Sequence, residues 1–110
     1  MSRILQVNSM LQKALAEIIS QNLEVPFDFF LTITRLDCGS DLKTAKVFVS
    51  VLPFSKAEEG IKFLVNNRHE TQGLLGKKIK LKFTPRLNFV LDDTEQTASE
   101  IYQTLDDLNN

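Results

Sequence analysis

The stretch NNRHETQGLLGKKIKLKF, residues 66–83, decides how the chain folds. It pairs a Gly-x-x-Gly spacing, Gly73 and Gly76, with a period-two run, KIKLKF. In some nucleic-acid-binding proteins such a glycine pair marks a loop that clamps the backbone of the bound strand. A clamp of that kind keeps its two middle residues solvated. Here they are Leu74 and Leu75, and burying both contributes about 3 to 5 kcal/mol that an exposed loop tip would forfeit. The stretch therefore predicts a helix kink at Gly73, with Leu74 and Leu75 as the buried start of a further helix. Gly76 is then a close-packing position or a weak spot in that helix.

Towards the N-terminus, Ser55 and Glu58 have the spacing of a capping box, opening a helix with Ala57, Ile61, Leu64 and Val65 inward. Before it, FLTITRL and TAKVFVSVL read as two strands of a hairpin turned by CGSDLK. Leu31, Ile33 and Leu36 change parity, which suggests a bulge or a pairing that ends near Arg35. Val7, Leu11, Leu15 and Ile18, preceded by Ile4, form one face of an amphipathic helix over residues 2–22. Pro26 stops it, and Phe27, Phe29 and Phe30 are expected to tuck under its end.

Towards the C-terminus, KIKLKFT alternates as a strand with Ile79, Leu81 and Phe83 inward and Lys80, Lys82 and Thr84 outward. RLNFVLDD is then extended, and Asp93 with Gln96 can cap a last helix lined by Ala98, Ile101, Leu105 and Leu108. The expected fold is a single α+β domain over residues 1–110, with helices on one face of a small three-stranded mixed sheet.

Composition is that of a globular chain, with 43% hydrophobic and 25% charged residues. One cysteine, Cys38, excludes an internal disulfide framework and points to a reducing compartment, the cytoplasm. The start lacks a secretory signal, no run is long enough to span a membrane, and nothing calls for a membrane partner. The net charge of -1 hides an asymmetry: residues 62–86 carry seven Lys/Arg and one Asp/Glu, whereas residues 87–110 carry none and six. The basic block is either a solvated surface or one that faces a polyanion. Cys38 and His69 are single members of their types, so neither a catalytic site nor a metal site is expected, and no cofactor motif is present.

DLKTAKVFVSVL, residues 41–52, PRLNFVLDD, residues 85–93, and the helix, short junction and helix between them resemble the ribosome-binding factor A family. The first helix and the TITRL strand fit the same likeness, which covers nearly the whole chain. The resemblance implies a type II KH-like domain, in the order α-β-β-α-kink-α-β. It further implies a non-enzymatic factor that binds the free 30S ribosomal subunit and 16S rRNA and assists late small-subunit maturation and 16S rRNA processing. That family carries an Ala-x-Gly kink between its two central helices, which the resemblance sets on Thr71, Gln72 and Gly73. The first helix here has only Arg3 and Lys13, where the family usually opens with several arginines.

The expected RNA-binding set is Lys62, Arg68, Thr71, Gly73, Lys77, Lys78, Lys80 and Lys82, with Arg68 and Lys77 foremost. Such cations neutralise phosphates without reading bases. Lys80 and Lys82 either join that surface or merely wet the outer face of an edge strand. The alternative function is a KH-like protein–protein interaction module that does not depend on RNA. In either case a monomer is expected.

Overall fold

In the computed structural model, residues 3–80 and 83–94 are described. Helix α1 (Arg3–Gln21) leads to an antiparallel hairpin, β1 (Phe30–Cys38) and β2 (Thr44–Leu52). A 3-10 turn (Phe54–Lys56), α2 (Ala57–Asn66), α3 (Arg68–Lys78) and β3 (Arg86–Leu91) follow. β3 pairs in parallel with β2, so the sheet is mixed, with β2 central in the order β1-β2-β3. This α-β-β-α-α-β order on one three-stranded sheet is the expected fold class.

The core forms where the inward face of the sheet meets the helices. Ala45, Val47, Val49 and Val51 alternate inward along β2, and Leu36 of β1 and Leu87 of β3 complete the buried face. Leu11, Leu15 and Ile18 of α1, Leu64 of α2 and Leu75 of α3 close over it. The parity change in β1 is a bulge: Ile33 faces Val49, and the next paired residue, Arg35, faces Phe48. The skipped Thr34 donates its hydroxyl to Asp92 Oδ2 at 2.6 Å, joining the bulge to the residue just after β3. β1 is an edge strand, and α1 satisfies part of its free side. The Cys38 N–H donates to Asn8 Oδ1 at 2.8 Å, and Gln12 Nε2 donates to the Ile33 carbonyl at 3.4 Å.

Four expectations change. First, the α2–α3 break falls at Asn67, not Gly73. Asn67 leaves helical geometry at φ -101, ψ 11, and its Nδ2 donates to the Phe63 carbonyl at 2.8 Å. Its own carbonyl accepts both the Thr71 N–H, at 2.9 Å, and the Thr71 hydroxyl, at 2.7 Å. Side-chain amide and hydroxyl competition for helical carbonyls, not glycine freedom, makes the break. Gly73 and Gly76 both lie inside α3, with Leu75 buried and Leu74 half-buried between them, so the glycine pair is not a clamp loop.

Second, the third strand is Arg86–Leu91 and not KIKLKFT. α3 consumes the chain through Lys78, and the Ile79 N–H still bonds the Leu75 carbonyl at 3.0 Å. Ile79 is buried as expected, but Phe83 is 73% exposed, and Leu81 and Lys82 lie outside the described residues. The two alternating runs compete for one place beside β2, and RLNFVL takes it with Leu87 buried and Phe89 and Leu91 packed against the core.

Third, the Ser55–Glu58 capping box does not form, because the chain enters α2 through a 3-10 turn whose Lys56 N–H bonds the Pro53 carbonyl. Within α2, Gly60 rather than Val65 faces the sheet. Fourth, only Phe29 of the three phenylalanines is buried, edge-on to Phe63, while Phe27 is 99% and Phe30 71% exposed. The last-helix expectation over residues 93–108 falls almost wholly outside the described residues.

Two stability results follow from this packing. A Cβ on Gly73 meets nothing within 4 Å, so Gly73→Ala is expected to raise unfolding free energy by about 0.8 to 1 kcal/mol in urea titration. On Gly60 it would lie 2.9 Å from both Val51 methyls, so Gly60→Ala is expected to lower it by about 1 to 3 kcal/mol. Acid sensitivity has a named source as well. Hydrogen bonds from Thr34 and then Thr94 hold the Asp92 carboxyl down at about 2. A carboxyl lowered on folding stabilises above its unfolded value of about 3.9, and that contribution is lost as pH falls through the folded value. Asp92→Asn is therefore expected to flatten the fall in thermal midpoint between about pH 4 and pH 2.

Candidate nucleic-acid interface

α3 distributes the expected cations around its circumference. Thr71 and Leu75 form its buried side. Arg68 and Lys77 are nine residues apart, which at about 100° per residue places them on opposite flanks. The Arg68 flank turns towards β3, where Gln72 Oε1 accepts the Leu87 N–H at 3.4 Å. Lys78, across the buried Thr71–Leu75 stripe from Arg68, meets α1, where its Nζ lies 2.7 Å from Glu17 Oε2. The Lys78 hydrogen bond and then its charge hold the Glu17 carboxyl below the usual carboxylate range. The expected set is therefore not one surface.

Its members divide by what surrounds them. Lys62, Lys77 and Lys80 are exposed. Lys78 is already engaged by Glu17, and Lys82 lies outside the described residues. Thr71 is 0% exposed with its hydroxyl committed to Asn67, so it shapes the helix break rather than meeting a ligand. Gly73 is exposed in mid-helix, not at a bend.

What the fold brings together is a shallow cleft between the first turn of α3 and the start of β3, lined by Val65, Asn66, Arg68, His69, Gln72 and Arg86. Two arginines, a histidine and two carboxamide residues line it, and among the described residues no Asp or Glu does. Val65 also lines a neighbouring, mainly apolar groove along α2 that contains Lys62 and Glu58. Sequence reasoning misses Arg86 as a site residue. It falls within the basic block, but a strand placed at KIKLKF leaves no reason to set it beside α3. The usable signal is the alternation of RLNFVL, which puts Arg86 at the head of a strand.

Cys38 is buried at the end of β1, and burial followed by the Asp41 charge pushes its thiol up. Among the described residues, no three His, Cys, Asp or Glu side chains are grouped to hold a metal ion, and no helix is long and apolar enough to cross a membrane.

The chain is 31% identical over 109 residues to ribosome-binding factor A of Opitutus terrae, covering 98% of this chain and 88% of that one. It is 35% identical over 94 residues to the Chlamydia pneumoniae protein of the same name, covering 83% and 78%. The crystal structure of ribosome-binding factor A from Thermus thermophilus superposes with a TM-score of 0.72 at 20% identity, over 80% of this chain and 93% of that one, a likeness of fold. A homology model of the Thermus thermophilus factor, fitted into a cryo-EM map of a 30S complex, gives 0.67 at 27% identity, over 77% and 90%. The family model for ribosome-binding factor A matches residues 3–105, and the chain belongs to that family.

Proposed function

We propose that this chain is a non-catalytic assembly factor that binds the 30S ribosomal subunit, meets 16S rRNA mainly through its phosphate backbone, and assists late subunit maturation and 16S rRNA processing. The observation that carries the reading is the cleft shared by Arg68 and Arg86, in which no described residue is acidic; Lys62 lies in the adjoining groove, beside Glu58. Family membership supports it, as does the related Thermus thermophilus factor fitted into a 30S complex. Cations of this kind bind by releasing counterions from phosphates, which gives strong salt dependence and little base choice. Lys77 and Lys80 extend the same role only if the RNA wraps beyond the β3 flank.

Gradient sedimentation of cell extract tests the reading. The protein is expected with free 30S subunits and scarcely with translating ribosomes. Lys62→Glu with Arg68→Glu is expected to remove it from the 30S fraction at moderate salt, and Lys77→Glu alone to weaken it far less. Retention of the double variant with 30S subunits would show instead that protein contacts hold it there. In cells lacking the factor, accumulation of unprocessed 16S rRNA that the wild-type chain relieves and the double variant does not is the expected maturation phenotype.

A further inference from the structure

Three cations among the described residues form ion pairs inside the molecule. Lys56 reaches Asp28 at 3.4 Å and Glu59 at 3.5 Å, and Lys78 reaches Glu17. Arg35 pairs with Asp37 at 3.2 Å and stacks 4.1 Å above the Phe48 ring. Among the described residues Arg68 and Arg86 have no such carboxylate, although they line the same cleft.

Arg68 is the more telling of the two. It is half-buried, and its Nε is a buried donor with no hydrogen-bond partner. A buried donor left unpaired is costly, and more so when it is charged, so a fold that holds one beside an open cleft gains by admitting an acceptor there. Gln72 adds to the demand: its Oε1 is turned to the Leu87 N–H, which leaves its NH2 group to donate. The acceptor that matches planar, forked donors from two sides is a tetrahedral oxyanion, since each guanidinium can take two of its oxygens.

We propose that this cleft seats one phosphodiester of an RNA strand, gripped by Arg68 and Arg86 with the Gln72 amide as a third donor. The choice of an RNA phosphate rests on the function proposed above; the oxyanion chemistry rests on the cleft alone. The site is directional where a lysine field is diffuse. It fixes the register of the backbone at one point, while Lys62 and the remaining cations contribute charge around it.

Binding of the intact chain to a fluorescent uridine decamer, at fixed moderate salt, tests the grip. Arg86→Gln is expected to weaken affinity about tenfold and the charge-preserving Arg86→Lys about fivefold, because a point charge cannot replace a fork. Lys13→Gln, on α1 and outside the cleft lining, should change it less than about twofold. Wild-type affinity in Arg86→Lys, or a loss in Arg86→Gln no greater than in Lys13→Gln, overturns the proposal. Because Arg86 is exposed, these variants test the cleft even if Arg68→Gln does not fold.

The Arg68 Nε–H resonance supplies the second readout: the decamer should shift it, and inorganic phosphate should shift it at higher concentration. A shift with phosphate but none with the decamer assigns the cleft to free phosphate and overturns the RNA assignment; no shift with either overturns the site. Failure of the wild-type chain to sediment with 30S subunits, with the Arg86→Lys loss intact, rejects the assembly reading and leaves the cleft standing.

Discussion

The carbonyl of Asn67 accepts two hydrogen bonds from one residue, the N–H and the hydroxyl of Thr71, and the placing of both the core and the cleft depends on that pair. Thr71 is the buried polar side chain of the described core. Its hydroxyl has no route to water, so leaving it unpaired would cost about 1 to 3 kcal/mol. With the bond made, α3 restarts at Arg68 in a phase that sends Thr71 and Leu75 inward and turns Arg68 and Gln72 to β3. A break six residues later, at Gly73, would have set a different phase and scattered these groups. A threonine in mid-helix normally weakens the helix slightly; here the same hydroxyl defines where one helix stops and the next begins.

β3 depends on this phase in turn. A strand parallel to β2 cannot be reached by a tight turn, so the chain must cross over the sheet through α2 and α3 before Arg86 can pair with Thr44. Gly60 lets α2 lie close on Val51 and Leu31, and Gly76 lets α3 pass close to Thr84 on the way back. Gly76 thus takes the close-packing position that the sequence offers for it, whereas Gly73, expected at a kink, has open space around its missing side chain.

Much of the fold was legible because its signals are local and strong. The three- and four-residue steps of α1, the period-two face of β2 and the parity slip in β1 each report a burial pattern that tertiary contacts reinforce. Where the reading failed, two local signals competed for one role. KIKLKF and RLNFVL both alternate, and only the length of α3 decides which lies beside β2. Gly73 is the stronger helix breaker by propensity, yet Asn67 breaks the helix through a partner four residues away that propensity does not weigh. Ser55 and Glu58 have capping-box spacing, but a 3-10 turn in the preceding residues removes the frame the box requires. For the site, Lys62 and Arg68 were recoverable and Arg86 was not, since its neighbours were set by the strand that was misplaced.

Charge shows the same limit of linear reading. A basic block of seven cations and one acid looks like a single electrostatic face only while it is a string. Wound into α3, its members point to opposite flanks, and one flank finds a carboxylate from α1, far earlier in the chain, which neutralises Lys78. What remains for an external anion differs in kind: Lys56, Arg35 and Lys78 are answered from within, Lys62, Lys77 and Lys80 are exposed, and Arg68 and Arg86 share a cleft in which no described residue is acidic. The distinction has an energetic consequence. A solvated lysine meets a phosphate at the cost of ordering a flexible chain and loses most of the gain to screening, whereas a half-buried arginine already carries the desolvation cost in the folded state and recovers it when the anion arrives. The net charge of the chain, near zero, says nothing about either.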